Sequence, residues 1–271
     1  MAGKAQSGLG PMIRLVATGM MVGWLGILQA MSAPALAQTF DIKQLDVEKG
    51  SLELGSDNSL QGGGLHREDN RSAHELSLDY GVTNYWRLSG VLKFENPVEE
   101  HFRLDKTSIE NIWVFRAVPK DGGLGLGWFT TLEVATDPAA TNSSVFGPII
   151  ELKQDKLSFT ANPFFEKTFG RNRVEGIALN YGWNVKYQLN DKISVGLEAF
   201  GLVENLGDAP SFSAQQHRLG PAVFTNIELA PGFSITPDIG LYVGLTEATP
   251  SLTLKLNVGV PLSQPASSGG K

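Results

Sequence analysis

The chain contains no cysteine. That excludes a disulfide framework, a thiolate metal site and a cysteine nucleophile, while leaving the compartment open. Charge is sparse as well: Asp, Glu, Lys and Arg make up 18% of 271 residues, and the formal net charge is −6. A nucleic-acid binder would normally carry a basic face, so no nucleic-acid partner is expected. Beyond the N-terminal stretch, no apolar run is long enough for a membrane helix, and none keeps an amphipathic helical period over several turns. Mean hydropathy lies close to zero, which excludes a helical membrane protein but suits a sheet whose faces alternate apolar and polar. No glycine-rich phosphate motif stands between a strand and a helix. His66 with Glu68 and Asp69, and His101 after Glu99 and Glu100, fall in acidic loops where chance clustering accounts for them. No cofactor and no metal are expected.

What the chain does contain begins with an export signature. Lys4 and Arg14 are the only charged residues before Asp41, and Leu15 to Leu28 is an apolar run too short and too glycine-broken to span as a stable helix. Small residues at Ala35 and Ala37 then fit a signal peptidase. Residues 1–37 are therefore expected to be a signal peptide cut after Ala37, followed by an outer-membrane barrel over 38–262 and a polar tail over 263–271. Removing Lys4 and Arg14 takes the net charge from −6 to −8.

After the export segment the hydrophobic period is two. Trp86, Leu88, Leu92 and Phe94 share one face, against Arg87, Ser89, Lys93 and Glu95. Just upstream, Leu76, Leu78 and Tyr80 alternate with Glu75, Ser77 and Asp79, and Gly81 to Tyr85 makes a tight turn between the two. The same pattern continues to Leu252, Leu254, Leu256, Val258 and Val260. It predicts about twelve strands, near 47–56, 72–81, 86–95, 105–116, 124–135, 144–153, 157–168, 175–188, 192–204, 216–229, 233–245 and 250–261. Over 105–116 the apolar residues permit either phase.

Alternation alone also fits a soluble sandwich, but three features favour an all-β, antiparallel up-and-down transmembrane barrel. The strands run to about ten residues, the length a tilted strand needs to cross a bilayer. Short turns such as Val82 to Tyr85 and Gln154 to Lys156 alternate with longer polar connections such as Asp57 to Arg71 and Asn205 to Gln215, as between periplasmic turns and outer loops. Aromatic residues Tyr80, Tyr85, Trp86, Trp128, Tyr187 and Phe233 stand near strand ends on the apolar face, where such rings meet lipid headgroups. Outer-membrane lipid is thus the expected surrounding partner.

Tyr80-Gly81-Val82-Thr83-Asn84-Tyr85-Trp86-Arg87-Leu88 resembles a turn seen in many proteobacterial outer-membrane barrels of the porin-like transporter type, a loose group that includes the MetA-pathway phenol-degradation proteins. Val47 to Leu54 and Gly220 to Leu245 have a similar character. The resemblance spans about half of the mature chain in short motifs and carries no functional residues over. It implies a bacterial outer-membrane barrel serving solute passage. Such barrels commonly end on an aromatic residue read by the barrel-assembly machinery, a further expected partner, whereas here Pro261-Leu262 leads into a polar tail.

The strand phases turn Glu75, Asp79, Glu133, Glu151, Glu166, Glu198 and Asp238 inward, together with Arg87, Lys93, Lys186 and Lys255. Acids outnumber bases, so a water-filled lumen would favour cations among small solutes. The alternative is that these charges pair across strands, Asp79 with Arg87 for instance, and fill a narrow barrel. Catalysis is not expected and no catalytic residue is assigned. His66, His74, His101 and His217 fall at outer strand ends or in outer loops, and His74 shares its face with Leu76 and Leu78. Ser72 and Asn70 lie close in sequence, without a hydrolase motif around them. The other readings are an outer-membrane lipid hydrolase and a closed barrel with a structural or surface-recognition role.

Overall fold

A computed structural model describes residues 39–62, 71–96, 102–230 and 233–263. The expected signal peptide, His66, Asn70, His101 and the tail from 264 onward lie outside the described residues. The strands are β1 (Leu52–Gly62), β2 (Arg71–Thr83), β3 (Trp86–Asn96), β4 (Arg103–Arg116), β5 (Gly123–Ala135), β6 (Asn142–Gln154), β7 (Leu157–Phe169), β8 (Ala178–Gln188), β9 (Ile193–Val203), β10 (Gln216–Thr225), β11 (Ile227–Ala230), β12 (Phe233–Gly244) and β13 (Leu252–Ser263). From β1 to β10 each pairs antiparallel with the next, β11 and β13 both pair with β12, β1 pairs with β13, and β10 pairs with β12, so the sheet closes on itself.

β10 and β11 form one stave, giving a twelve-stranded barrel. Val223 faces Ile239 and Ile227 faces Ile235, so the register against β12 runs straight through the break. At the break the partner is Pro237, which has no N–H to give. The Thr225 hydroxyl donates to the Pro237 carbonyl at 3.2 Å there.

The first strand departs from expectation. It runs over Leu52–Gly62 rather than 47–56, so the outer connection begins after Gly62 and not at Asp57. Alternation misleads here because Ser56 and Asn58 interrupt the apolar face of β1, while Val47 belongs to a segment that is not in the sheet. Over β4, Ile109, Trp113 and Phe115 point outward, which settles the ambiguous phase.

The outward face is an apolar belt. Leu54, Leu76, Leu78, Leu88, Leu126, Leu132, Leu197, Ile239 and Leu254 are all exposed, far more contiguous apolar surface than water tolerates on a monomer. Near the short turns, Trp86 pairs with Trp113 and Trp113 with Trp128 across β3, β4 and β5. The first two rings stack at 5.0 Å. This is the aromatic girdle of a membrane-spanning barrel. An arginine at mid-belt is expected to cost about 2–4 kcal/mol. Leu78→Arg should lose that amount in reversible denaturant unfolding from lipid vesicles, and an unchanged midpoint would contradict a lipid-facing position.

Candidate functional site

A barrel lumen is ordinarily polar, but this one carries large apolar side chains. Ile112, Val114, Phe129, Ile149 and Phe164 form one buried cluster, and Phe200 with Tyr242 a second. Both are completed by residues that precede β1. Leu45 joins the first cluster; Phe40 and Ile42 join the second. Residues 39–47 therefore lie inside the barrel as an internal segment.

The backbone of that segment is held by side chains from the wall. Asn257 of β13 donates to the Phe40 carbonyl at 2.9 Å, and Asn162 of β7 donates to the Lys43 carbonyl at 3.1 Å. The Leu45 N–H donates to Glu151 of β6 at 2.7 Å. Near the short-turn rim, the Gly50 N–H donates to the Gly81 carbonyl and the Lys49 N–H to Asn84, so the chain leaves the lumen beside the β2–β3 turn before entering β1. Side chains from the segment complete the fit. The Arg218 guanidinium lies over the Phe40 ring at 4.3 Å. A β-carbon at Gly127 would collide with Leu45 and with the Trp113 carbonyl, so glycine there leaves room for the segment.

The charges expected in the lumen all lie on the face opposite the belt, and the structure joins most of them into two networks. In the first, Lys93 reaches Glu133 at 2.6 Å and Glu75 at 3.5 Å, and Lys106 also holds Glu133 at 3.1 Å. Thr39 of the internal segment donates to Glu75 at 3.0 Å. Beside this network Lys43 is clamped between Asp41 at 3.1 Å and Glu110 at 2.9 Å. In the second, Lys255 is fully buried between Glu198 at 2.5 Å and Asp238 at 2.6 Å, and the Tyr242 hydroxyl donates to Glu198 at 2.5 Å. Glu166 accepts from Asn180, and Lys186 sits over the Phe224 ring at 3.9 Å.

Arg87 reaches Asp46 of the internal segment at 3.7 Å. The pairing expected with Asp79 gives way because the register sets Asp79 opposite Ser89 and Arg87 opposite Gly81. Sequence reasoning misses Asp41, Lys43 and Asp46, since all three precede the first expected strand, 47–56. It also misses Glu110, whose strand phase is open. A usable signal was present in Phe129, Phe200 and Tyr242, bulky rings on the polar phase of their strands that need apolar cover.

The lumen is not completely filled. At the short-turn end a cavity of about 240 Å³ lies between Gln44 and the wall, lined by Glu151, Lys153, Lys156, Lys186 and Gln188 among others. No group of three or more potential metal-ligating side chains occurs among the described residues.

Two outcomes follow. Removing one partner of a buried ion pair costs about 3–5 kcal/mol, because a charge is left uncompensated. Lys255→Met should show a loss of that size in vesicle unfolding, and Glu198→Gln in the same background should recover part of it. Deleting residues 39–47 should raise single-channel conductance several-fold over the intact chain in planar bilayers; equal conductance would mean that the segment does not obstruct the path.

No protein-family model matches this chain, and no curated protein matches it in sequence. Solved structures do match its shape. An outer membrane channel from Pseudomonas putida F1 superposes with a TM-score of 0.53 at 11% identity, covering 82% of this chain and 100% of that one. The NanC porin superposes with a TM-score of 0.51 at 10% identity, covering 79% of this chain and 100% of the porin. These neighbours are channels and porins rather than enzymes, and at such identity the likeness concerns the fold: the chain has the architecture of outer-membrane porin-like barrels.

Proposed function

We propose that this protein sits in the bacterial outer membrane and passes small solutes along a lumen narrowed by its own N-terminal segment, with a preference for cations. The apolar belt and aromatic row favour a bilayer setting, and the cavity beside Gln44 offers water-accessible space within the barrel. The resemblance around Tyr80 to Leu88 favours kinship with the MetA-pathway phenol-degradation group. Export by a signal peptide cut after Ala37, insertion by the barrel-assembly machinery and a polar tail over 263–271 belong to the same reading.

One observation carries the cation preference. On the wall formed by β1 and β2, Glu53 stands directly opposite Asp79, and Asp57 directly opposite Glu75. Like charges in that relation repel and destabilise a sheet. Lys93 answers Glu75 at 3.5 Å from the next strand, and Asp46 of the internal segment adds a further carboxylate near the rim. Such a wall lowers the energy of a passing cation and raises that of an anion. Lumen charge also focuses the field within low-dielectric walls.

In planar bilayers under a potassium chloride gradient, the reversal potential should indicate potassium over chloride. Glu53→Gln combined with Asp79→Asn should move it toward chloride. Chloride preference in the unaltered protein would sink the charge assignment, and the absence of any conductance would sink passage itself.

A further inference from the structure

Polar side chains are costly on a lipid-facing surface, yet Ser72, His74 and Asn58 meet on the outward face of β1 and β2, with Ser56 beside Asn58 at 3.1 Å. Ser72 and His74 lie two residues apart on β2, on the face that also carries exposed Leu76, Leu78 and Tyr80. Asn58 stands opposite His74 on β1. His74 Nε2 is 3.1 Å from the Ser72 hydroxyl, and His74 Nδ1 is 2.9 Å from Asn58 Oδ1.

The hydrogen-bond inventory fixes the protons. Asn58 Nδ2 lies 2.9 Å from the Leu256 carbonyl and 3.3 Å from the Ser56 carbonyl, both of which only accept. The amide NH₂ must therefore point there, which leaves Oδ1 to accept from His74 Nδ1–H. Neutral His74 then has its lone pair on Nε2, aimed at the Ser72 hydroxyl. A hydroxyl, an imidazole free to take its proton and an amide that locks the imidazole tautomer are the nucleophile, base and orienter of a serine hydrolase.

The surroundings indicate the substrate. Phe102 packs edge-on against His74 at 5.6 Å and stacks on Phe94 at 5.5 Å, while Leu60 and Leu256 flank the site on the same face. The group sits near the long-loop end of β2, within the apolar surface but close to its edge, where water is at hand. Leu60, Leu76, Leu256 and Phe94 occupy neighbouring outward positions, so apolar side chains fit the wall here and a polar trio is not needed to build it. The orienting amide comes from Asn58 on the adjacent strand, and the sequence separation of Asn58 from Ser72 and His74 hides the arrangement from motif reading.

We propose that Ser72, His74 and Asn58 form a hydrolase site that opens sideways to the membrane and cleaves acyl esters of lipids lying in the adjacent leaflet. Ser72 Oγ attacks the ester carbonyl carbon as its proton passes to His74 Nε2. The bond from that carbon to the glycerol oxygen breaks, and His74 returns the proton to the departing alkoxide, leaving an acyl group on Ser72. Water then attacks the acyl carbon, gives its proton to His74, and releases a fatty acid as Ser72 recovers its hydrogen. The products are a fatty acid and a lysolipid, with no change in oxidation state.

The test uses the full chain in vesicles of phosphatidylethanolamine and phosphatidylglycerol, with folding checked by heat-dependent gel mobility. A fluorophosphonate probe should label the folded protein, peptide mapping should place the label on Ser72, and fatty acid should be released from the vesicles. Ser72→Ala should abolish labelling and release, and His74→Ala should lower the release rate by about 10²–10⁴-fold, the usual contribution of a general base. Conductance should be the same in Ser72→Ala as in the unaltered protein, so failure of the pore reading and failure of this one remain distinct. Folded, unaltered protein that takes no label, or takes it elsewhere, and releases no more fatty acid than Ser72→Ala would overturn the proposal.

Discussion

Everything in this barrel depends on the closing ladder between β1 and β13. A spanning sheet in lipid has no water to satisfy a free N–H or C=O, so it is stable only when its two edges meet. Leu60 faces Leu254 and Leu54 faces Val260 across that seam, and this register fixes which residues look out around the ring. A slip of one residue would send every leucine of β13 inward and Lys255 into lipid. Because the side-chain period is two, the seam that removes the edges also separates the belt from the lumen. The break between β10 and β11 falls where the proline of β12 could not have donated in any case.

Closure then creates a second demand. Twelve staves enclose a space, and the inward rings of Phe129, Phe164, Phe200 and Tyr242 would face water if nothing covered them. The segment over residues 39–47 answers this demand. Burying an apolar side chain contributes about 1.5–3 kcal/mol, so Phe40, Ile42 and Leu45 together hold the segment by several kcal/mol before its hydrogen bonds count. Since about 1.4 kcal/mol is a factor of ten in population, the withdrawn state is rare. On the proposed reading, solutes pass beside the segment, on the side where the cavity between Gln44 and β6–β9 lies, rather than wait for it to leave.

The faces of the staves were legible in the sequence because lipid and lumen each impose a period of two. Leu76, Leu78 and Tyr80 against Glu75, Ser77 and Asp79 needed no structure to sort. Two kinds of information were hidden. One is contact between residues far apart in the chain, such as Leu45 with Glu151 or Asn58 with His74, which no local pattern encodes. The other is a face broken by polar residues: Ser56 and Asn58 interrupt the apolar alternation of β1, so the expected first strand, 47–56, starts too early and takes in Val47 from the end of the internal segment. The lumen residues were legible by phase but not by partner, because ion pairing depends on cross-strand register. Asp79 and Arg87 illustrate this, set on the same face yet two residues out of register.

The internal segment is more than filler. It brings Lys43 to Glu110, buried on the inner wall, and Thr39 to Glu75 on the adjoining acidic wall. A carboxylate buried without a partner is destabilising by several kcal/mol, so Glu110 is tolerable only while Lys43 is seated. The converse also holds, since Lys43 inside the barrel needs Glu110 and Asp41 as much as they need it. Apolar cover and charge balance therefore rest on the same short stretch of chain, and neither can be withdrawn without the other. That coupling explains why a lumen containing this many carboxylates can be narrow: its acids are balanced in part from within, by a stretch of chain that belongs to no sheet.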